Sequence, residues 1–535
     1  MVKRISSWLH GENSVRGASW VLIITLTLSN VLGLLRDHFL ASFIPTSELD
    51  IYFAAFRIPD LIFNFLILGA ISSVFIPIFC DYIAGKNLKE GWKVTSSLLN
   101  IAVLLMALFA VLMFFLMPYA TQLVVPEFSA DKMEKTVLLS RILMLTPIFF
   151  AASYIISGVL NSFKRFVVYS LAPLVYNLSI ITGTIFLGQK IGIIGVVYFV
   201  VIGSVLHLLV QIPSAYKLGF KYQAIFDWGH PSIKRIVRLM IPRTIGMGVT
   251  QIMLLAFTAI ASALAAGSIS AFNFANNIQT MPTVVFGTSF ATAVFPTLTT
   301  AIAEKKYDKF IFYFYRSIRT ITYLLIPISV AFILLRAQII RLILGSGQFE
   351  WSDTKATALT LGFFSISLIA QGLIPLLSRG FYAYKNTKTP MYISIVTVAV
   401  SVFIGYILSK SMGVAGLALA FSIGSFINAL MLYLYMRTFP GFKFDLSIFT
   451  SAAKTILMSA VMGVVIWSSN HFFANYLNMN TFFGVLEQTV ISLVLGATVY
   501  LTISYLWHCD ELKWAISRKI NGQSLAESEE EAGKN

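Results

Sequence analysis

Six histidines, two cysteines and few charges leave little material for active-site chemistry in this chain of 535 residues. Cys80 and Cys509 suggest neither a disulfide framework nor a metal site. Charged residues make up only 12%, where soluble domains carry about 25%. That shortage excludes a single soluble core. No metal-ligand spacing, nucleophile triad or phosphate loop occurs, so the chain is expected to be no enzyme and to need neither metal nor cofactor. Lys3 and Arg4 open the chain, but no small-residue cleavage site follows the first apolar run, and a cleavable signal is not expected.

What the chain has in quantity is oil. Hydrophobic residues account for 57% of it, and the mean hydropathy is +0.82. Apolar runs of about 20 residues, each long enough to cross a bilayer, recur along the whole length. A lipid-facing segment must satisfy its own backbone hydrogen bonds, so these runs predict helices. The fold class expected is all-α, a polytopic membrane protein of about fourteen spans. Charge supports the count. With the N-terminus placed in the cytoplasm, 27 of the 39 Lys and Arg residues fall on the inner side, 7 on the outer and 5 within spans. Basic residues gather on the cytoplasmic side of membrane proteins, which predicts both termini inside. The net charge of +16 then reads as topology and affinity for anionic inner-leaflet lipid, not as a nucleic-acid footprint.

An internal repeat underlies the spans. GIIGVVYFVVIGSVLH (192–207) aligns with GVAGLALAFSIGSFIN (413–428) at an offset of 221 residues. SGVLNSFKRFVVY (157–169) and SRGFYAYKNTKTP (378–390) share that offset, with Lys164 matching Lys385. GAISSVFIP (69–77) and GTSFATAVFP (287–296) correspond at about 219. Similar offsets at three places point to a duplication and to two pseudo-symmetric six-helix lobes, 1–222 and 223–440. Two additional helices over 441–507 and a cytoplasmic tail over 508–535 complete the chain. Paired parallel lobes are a transporter arrangement, with the binding site near the midplane between repeats.

Charges inside apolar runs mark the candidate site. In WVLIITLTLSNVLGLLRDHF (20–39), Arg36 and Asp37 sit side by side. An Arg or Asp at the bilayer centre costs roughly 2.5–3.5 kcal/mol on insertion scales, so such residues face protein or water. The next run, IYFAAFRIPDLIFNF, follows Asp50 and contains Arg57 and Asp60. Asp50 and Arg57 are seven apart, which places them near one face of a continuous helix. Pro59 can kink that helix. The corresponding stretch of the second half, FNFANNIQTMP, carries Asn276 and Asn277 instead, and Gln251 adds an amide. Two readings stay open for Arg36: a structural pair with Asp37 or Asp50, or an anion anchor in a polar cavity, with Arg57 as its companion. The planar guanidinium fork suits phosphate. Arg141 and Arg379 lie near span ends and are expected to snorkel, while His207 is expected to serve helix packing.

SNVLGLLRD, LDIYFAAFRIPDL, GAISSVFIPIFCDY, LNSFKRF and GFYAYKNTKTP, in that order along most of the chain, resemble the MurJ/MviN family of the MOP exporter superfamily. The resemblance implies a flippase that moves the undecaprenyl-linked peptidoglycan precursor lipid II from the inner to the outer leaflet of a bacterial plasma membrane by alternating access. Its partners would be a polyprenyl-diphosphate-linked glycan, membrane lipid and a coupling ion or the membrane potential. By motif position, Arg36, Asp37, Asp50 and Arg57 match residues of the family pattern. Asn30 stands where members commonly have Arg, Phe63 and Asn64 occupy places often held by arginine, and Asn277 replaces another. Asn386 sits where an acidic residue often precedes K-T-P. The candidate substrate-binding set is therefore Arg36, Asp37, Asp50, Arg57, Asn30, Asn276, Asn277 and Gln251, with fewer positive charges than the pattern. Competing readings are a flippase for another polyprenyl-linked oligosaccharide, a multidrug antiporter of the same superfamily and a non-transporting scaffold.

Overall fold

The computed structural model describes residues 15–68, 74–442, 445 and 447–513. Among them the regular structure is helical throughout, with no strand. Ten helices are long and apolar enough to cross a membrane, or eleven when the pair Trp351–Ile366 and Leu368–Ala383, bent by 45°, counts as one span. The other three expected spans fall on Val15–Phe43, on the interrupted segment from Thr46 to Ala84, and on Pro231–Ser262. The count of fourteen therefore remains an expectation. Most of the tail, and residues 69–73 of the third repeat match, lie outside the described residues.

By packing, the chain divides into two compact units, each assembled from separate stretches: Met1–Ile278 with Ile343–Thr360 and Met391–Gly424, and Gln279–Leu342 with Leu361–Pro390 and Ser425–Asn535. In the first unit, Trp92 is the centre of an aromatic core. Its ring stacks on Phe163 at 5.9 Å and meets Phe79 at 5.2 Å and Phe220 at 5.6 Å. Ile155, Val159 and Leu160 of the helix Thr146–Ser162 close over it, all essentially inaccessible. In the second unit, Tyr307–Leu334, Ser447–Ala474 and Phe482–Leu506 pack through Met458, Met462 and Ile466. Tyr500 donates to the carbonyl of Tyr323 at 2.8 Å, and Tyr323 meets the Ser504 hydroxyl at 2.8 Å. Lipid tails are as apolar as leucine, so burial gives little drive between helices here. Close packing and such interhelical hydrogen bonds must supply it.

The repeat is written into the backbone. Gly192 and Gly413, 221 residues apart, both adopt positive φ (68° and 59°) ahead of a helix. Three residues on, a Cβ at Gly195 would reach 2.6 Å from Leu187, and one at Gly416 would reach 2.5 Å from the carbonyl of Leu408. Leu187 and Leu408 share the offset. Four lysines close helices in the left-handed region: Lys86, Lys164, Lys305 and Lys385, with φ between 53° and 59°. At each, the following amide reaches back five residues to a helical carbonyl: Asn87 to Tyr82, Arg165 to Leu160, Lys306 to Ala301 and Asn386 to Phe381. These are Schellman turns. Both pairs, 86/305 and 164/385, keep the offsets found in sequence. π-helical segments at Asn64–Leu68 and Thr283–Thr288 keep them as well.

One local expectation fails. Asp50 and Arg57 do not share a continuous helix: Thr46–Ala55 ends one residue before a break at Phe56, and Arg57–Phe63 begins after it. Pro59 has no N–H to give the carbonyl of Ala55, so the helical ladder stops there.

Candidate functional site

The charged residues picked out of the apolar runs are gathered within the first unit. Arg36 lies on Val15–Phe43. Its Nε and Nη2 donate to Asp37 Oδ1 at 3.0 and 2.8 Å, and its Nη1 donates to Asn177 Oδ1 at 3.2 Å, on the helix Phe166–Gly183. The second oxygen of Asp37 accepts from Asn277 Nδ2 at 2.8 Å, on Ser268–Pro282. One chain of polar contacts, Asn177–Arg36–Asp37–Asn277, thus ties three helices together. The Asp37 side chain is 2% exposed, whereas that of Arg36 keeps 22%. The pair neutralises itself, which lowers the cost of placing both charges among apolar helices. The arginine nevertheless retains a face open to solvent.

Arg57 is held differently. Its Nε donates to Thr258 Oγ1 at 2.7 Å on Pro231–Ser262, and its Nη2 donates to Asn273 Oδ1 at 2.8 Å on Ser268–Pro282. Neither partner carries charge. The Asn273 amide is itself anchored on the carbonyl of Ile269 at 2.7 Å. Arg57 is therefore fixed in direction and keeps its full positive charge. One turn further on, Asp60 is exposed although protein atoms surround it deeply. Arg57 acts on it electrostatically without a direct contact. We read the partly exposed Arg36 and Arg57 and the exposed Asp60 as one side of a recess.

Asp50 is only 3% exposed, and its oxygens are committed elsewhere. It accepts from the amide of Gly267 at 2.6 Å, and from the amide and hydroxyl of Ser270 at 2.8 and 2.7 Å. A carboxylate at the start of Ser268–Pro282 complements the unpaired N–H groups and the positive end of the helix dipole. Its place is the corner rather than the recess. Asn30, Gln251 and Asn276 are half-buried on Val15–Phe43, Pro231–Ser262 and Ser268–Pro282. Gln251 lies two turns before Thr258, on the same face.

Asn177, Thr258 and Asn273 hold the two arginines and were not singled out in the sequence. Their signal was a lone amide or hydroxyl in an apolar helix, as in YNLSIITG, which is common and weak. The positions departing from the family pattern have visible work. Asn277 holds Asp37, Phe63 packs on Phe150 and Tyr154 at 5.8 and 5.4 Å, and Asn64 donates to the carbonyl of Asp60 at 2.8 Å. Asn386 caps Lys388–Met412 by accepting from the amide of Thr389 at 3.1 Å. His207 meets Ser153 at 2.7 Å and stacks on Tyr154, as expected of a packing residue. Arg141 donates to the carbonyl of Phe114 and lies over its ring, while Arg379 reaches the carbonyl of Thr288 at 3.4 Å. Among the described residues, no group of three or more His, Cys, Asp or Glu could hold a metal ion.

Long apolar helices with arginines held among them mark a polytopic membrane protein in which an anion could dock. The family model described as lipid II flippase MurJ matches residues 38–487. The probable lipid II flippase MurJ of Rickettsia prowazekii (strain Madrid E) is 27% identical over 499 residues, covering 91% of this chain and 97% of that relative. A solved lipid II flippase MurJ in an inward closed conformation aligns with a TM-score of 0.77 at 28% identity, over 92% of this chain and 99% of that one. An inward-facing multidrug resistance MATE transporter of the MOP superfamily shares the fold, with a TM-score of 0.67 at 16% identity over 81% of this chain and 98% of that one. This chain belongs to the lipid II flippase MurJ family.

Proposed function

We propose that the chain moves lipid II from the inner to the outer leaflet of a bacterial plasma membrane, with both termini in the cytoplasm. The observation that carries this reading is the pair of solvent-reaching guanidiniums, Arg36 and Arg57, deep among apolar helices of a family member. Arginine forks bind phosphate oxygens through paired charge-assisted hydrogen bonds. In this reading Arg36 and Arg57 hold the diphosphate, Asp37 and Asn277 set the direction of Arg36, and Asn30, Asn276 and Gln251 face the glycan. Asp50 shapes the corner beside them. The two sequence lobes rock about this site, driven by the membrane potential or a coupling ion. The Rickettsia relative is named as a probable lipid II flippase and the solved structure at a TM-score of 0.77 as a lipid II flippase, which favours this carrier over an exopolysaccharide or O-antigen unit.

The test is complementation of a bacterium depleted of its own lipid II flippase. Growth with the wild-type chain and lysis with Arg57→Ala, at equal membrane abundance, is the expected outcome. No rescue by the wild type at good abundance would overturn the lipid II reading. Full rescue by Arg57→Ala would remove Arg57 from the binding site.

A further inference from the structure

Asp60 takes no part in the site as described, and its surroundings are specific. It lies one helical turn after Arg57, where side chains three residues apart sit about 5–6 Å from each other at Cβ. It is exposed, and among the described residues no hydrogen bond or ion pair engages its carboxylate. Arg57, the cation that acts on it, is already committed to Thr258 and Asn273. The other groups within its electrostatic reach are phenols: Tyr154 and Tyr176, both half-buried, and the buried Tyr52. Phe63, one turn further along, joins Tyr154, and Phe150 bridges Tyr154 to Tyr176 with centroids 6.3 and 5.3 Å away.

An open carboxylate in that setting calls for a cation. A hard inorganic ion is poorly served: it takes about six or more oxygen ligands, and Asp60 belongs to no group of three or more His, Cys, Asp or Glu among the described residues. An organic ammonium needs less. One carboxylate satisfies its charge, and neighbouring aromatic rings favour a cation electrostatically.

Resting on the reading of Arg36 and Arg57 as the diphosphate site, we propose that Asp60, with Tyr154 and Tyr176, recognises a primary ammonium on the translocated headgroup. It is then a specificity-determining residue. The recess reads a zwitterion, phosphate at the arginines and amine at the carboxylate.

The test compares two substrates in cells or vesicles where this chain is the sole flippase: lipid II with a free peptide side-chain amine, and the same lipid N-acetylated at that amine. The wild type is expected to take the free amine at least tenfold more efficiently. Asp60→Asn abolishes the preference, and Asp60→Glu restores it. A merely structural role would lower transport of both lipids without moving the ratio. Equal use of both lipids by the wild type, or an unchanged ratio in Asp60→Asn, overturns the proposal. So does a variant that keeps the amine preference but loses dependence on a proton or sodium gradient, which would assign Asp60 to a coupling ion. Failure of the wild type to move either lipid overturns the lipid II reading as well, which sets that failure apart from the others.

Discussion

The first sequence repeat and the second contribute to the same recess with different chemistry. Arg36, Asp37, Arg57 and Asp60 all come from the first copy; the second brings Thr258, Asn273 and Asn277. At the offset of about 220 residues, Asn277 takes the position that Arg57 holds in the first copy. The backbone, by contrast, has been kept: the paired glycines, lysine turns and π segments recur at the same offsets. The backbone features recur at these offsets while the side chains at the site differ. The first half carries the charges, with its own Asn177 on Arg36, and the second adds neutral partners to Arg57 and Asp37. Arg57, held by an amide and a hydroxyl, is directed with its charge left available, whereas Arg36 is paired with Asp37.

Removing a charge should cost most. Arg36→Ala leaves Asp37 almost wholly buried with Asn277 as its remaining partner. Breaking a buried pair costs about 3–5 kcal/mol, and the solvent-facing side of Arg36 reduces this to roughly 2 kcal/mol. Translocation should fall by well over tenfold, and the detergent-solubilised protein should melt several degrees lower. Wild-type rates in Arg36→Ala would mean that the charged copy is scaffolding.

Giving the second copy a charge should cost less and has a sign. Asn277→Asp places a carboxylate against Asp37 and should lower both stability and transport. Asn277→Arg pairs with Asp37, releases Arg36 and should preserve transport. The comparison breaks if the two variants behave alike when transport is measured at matched abundance.

Removing an orienting amide should cost less again. Asn273→Ala deletes one hydrogen bond to Arg57, about 1.5–3 kcal/mol for a charged partner. A several-fold rise in the substrate concentration giving half-maximal transport is expected, with little change in maximal rate.

The smallest effect is a gain. An L-residue in the left-handed region carries about 1 kcal/mol of strain that glycine lacks. Lys164→Gly and Lys385→Gly should each stabilise the protein by about that amount. Thermal melts that move equally for the two sites would confirm that the copies share one turn geometry.

Much of this was legible in the sequence. Charges inside apolar runs are conspicuous, so Arg36, Asp37 and Arg57 stood out, and their resemblance to a family pattern carried function with them. The duplication was legible because glycine spacing in apolar helices survives where close packing demands it, as Gly195 against Leu187 and Gly416 against Leu408 do. The partners were not. Asn177, Thr258 and Asn273 are 141 to 216 residues from the arginines they hold, and nothing in their local sequence distinguishes them from ordinary polar residues in a span. Asp50 looked like a cavity acid because its partners, Gly267 and Ser270, lie 217 and 220 residues away. Pro59 announced a kink, but only the hydrogen-bond ladder shows the helix stopping at Ala55 and resuming at Arg57.

The most direct measurement is translocation itself. With this chain as the sole flippase, lipid II reaching the outer leaflet can be scored by its cleavage with an externally added hydrolase that cannot cross the membrane. Wild type is expected to expose lipid II, and the double variant Arg36→Ala/Arg57→Ala to retain it inside, at equal abundance and correct insertion. Exposure by the double variant at the wild-type rate would contradict the central claim that these two guanidiniums carry the diphosphate.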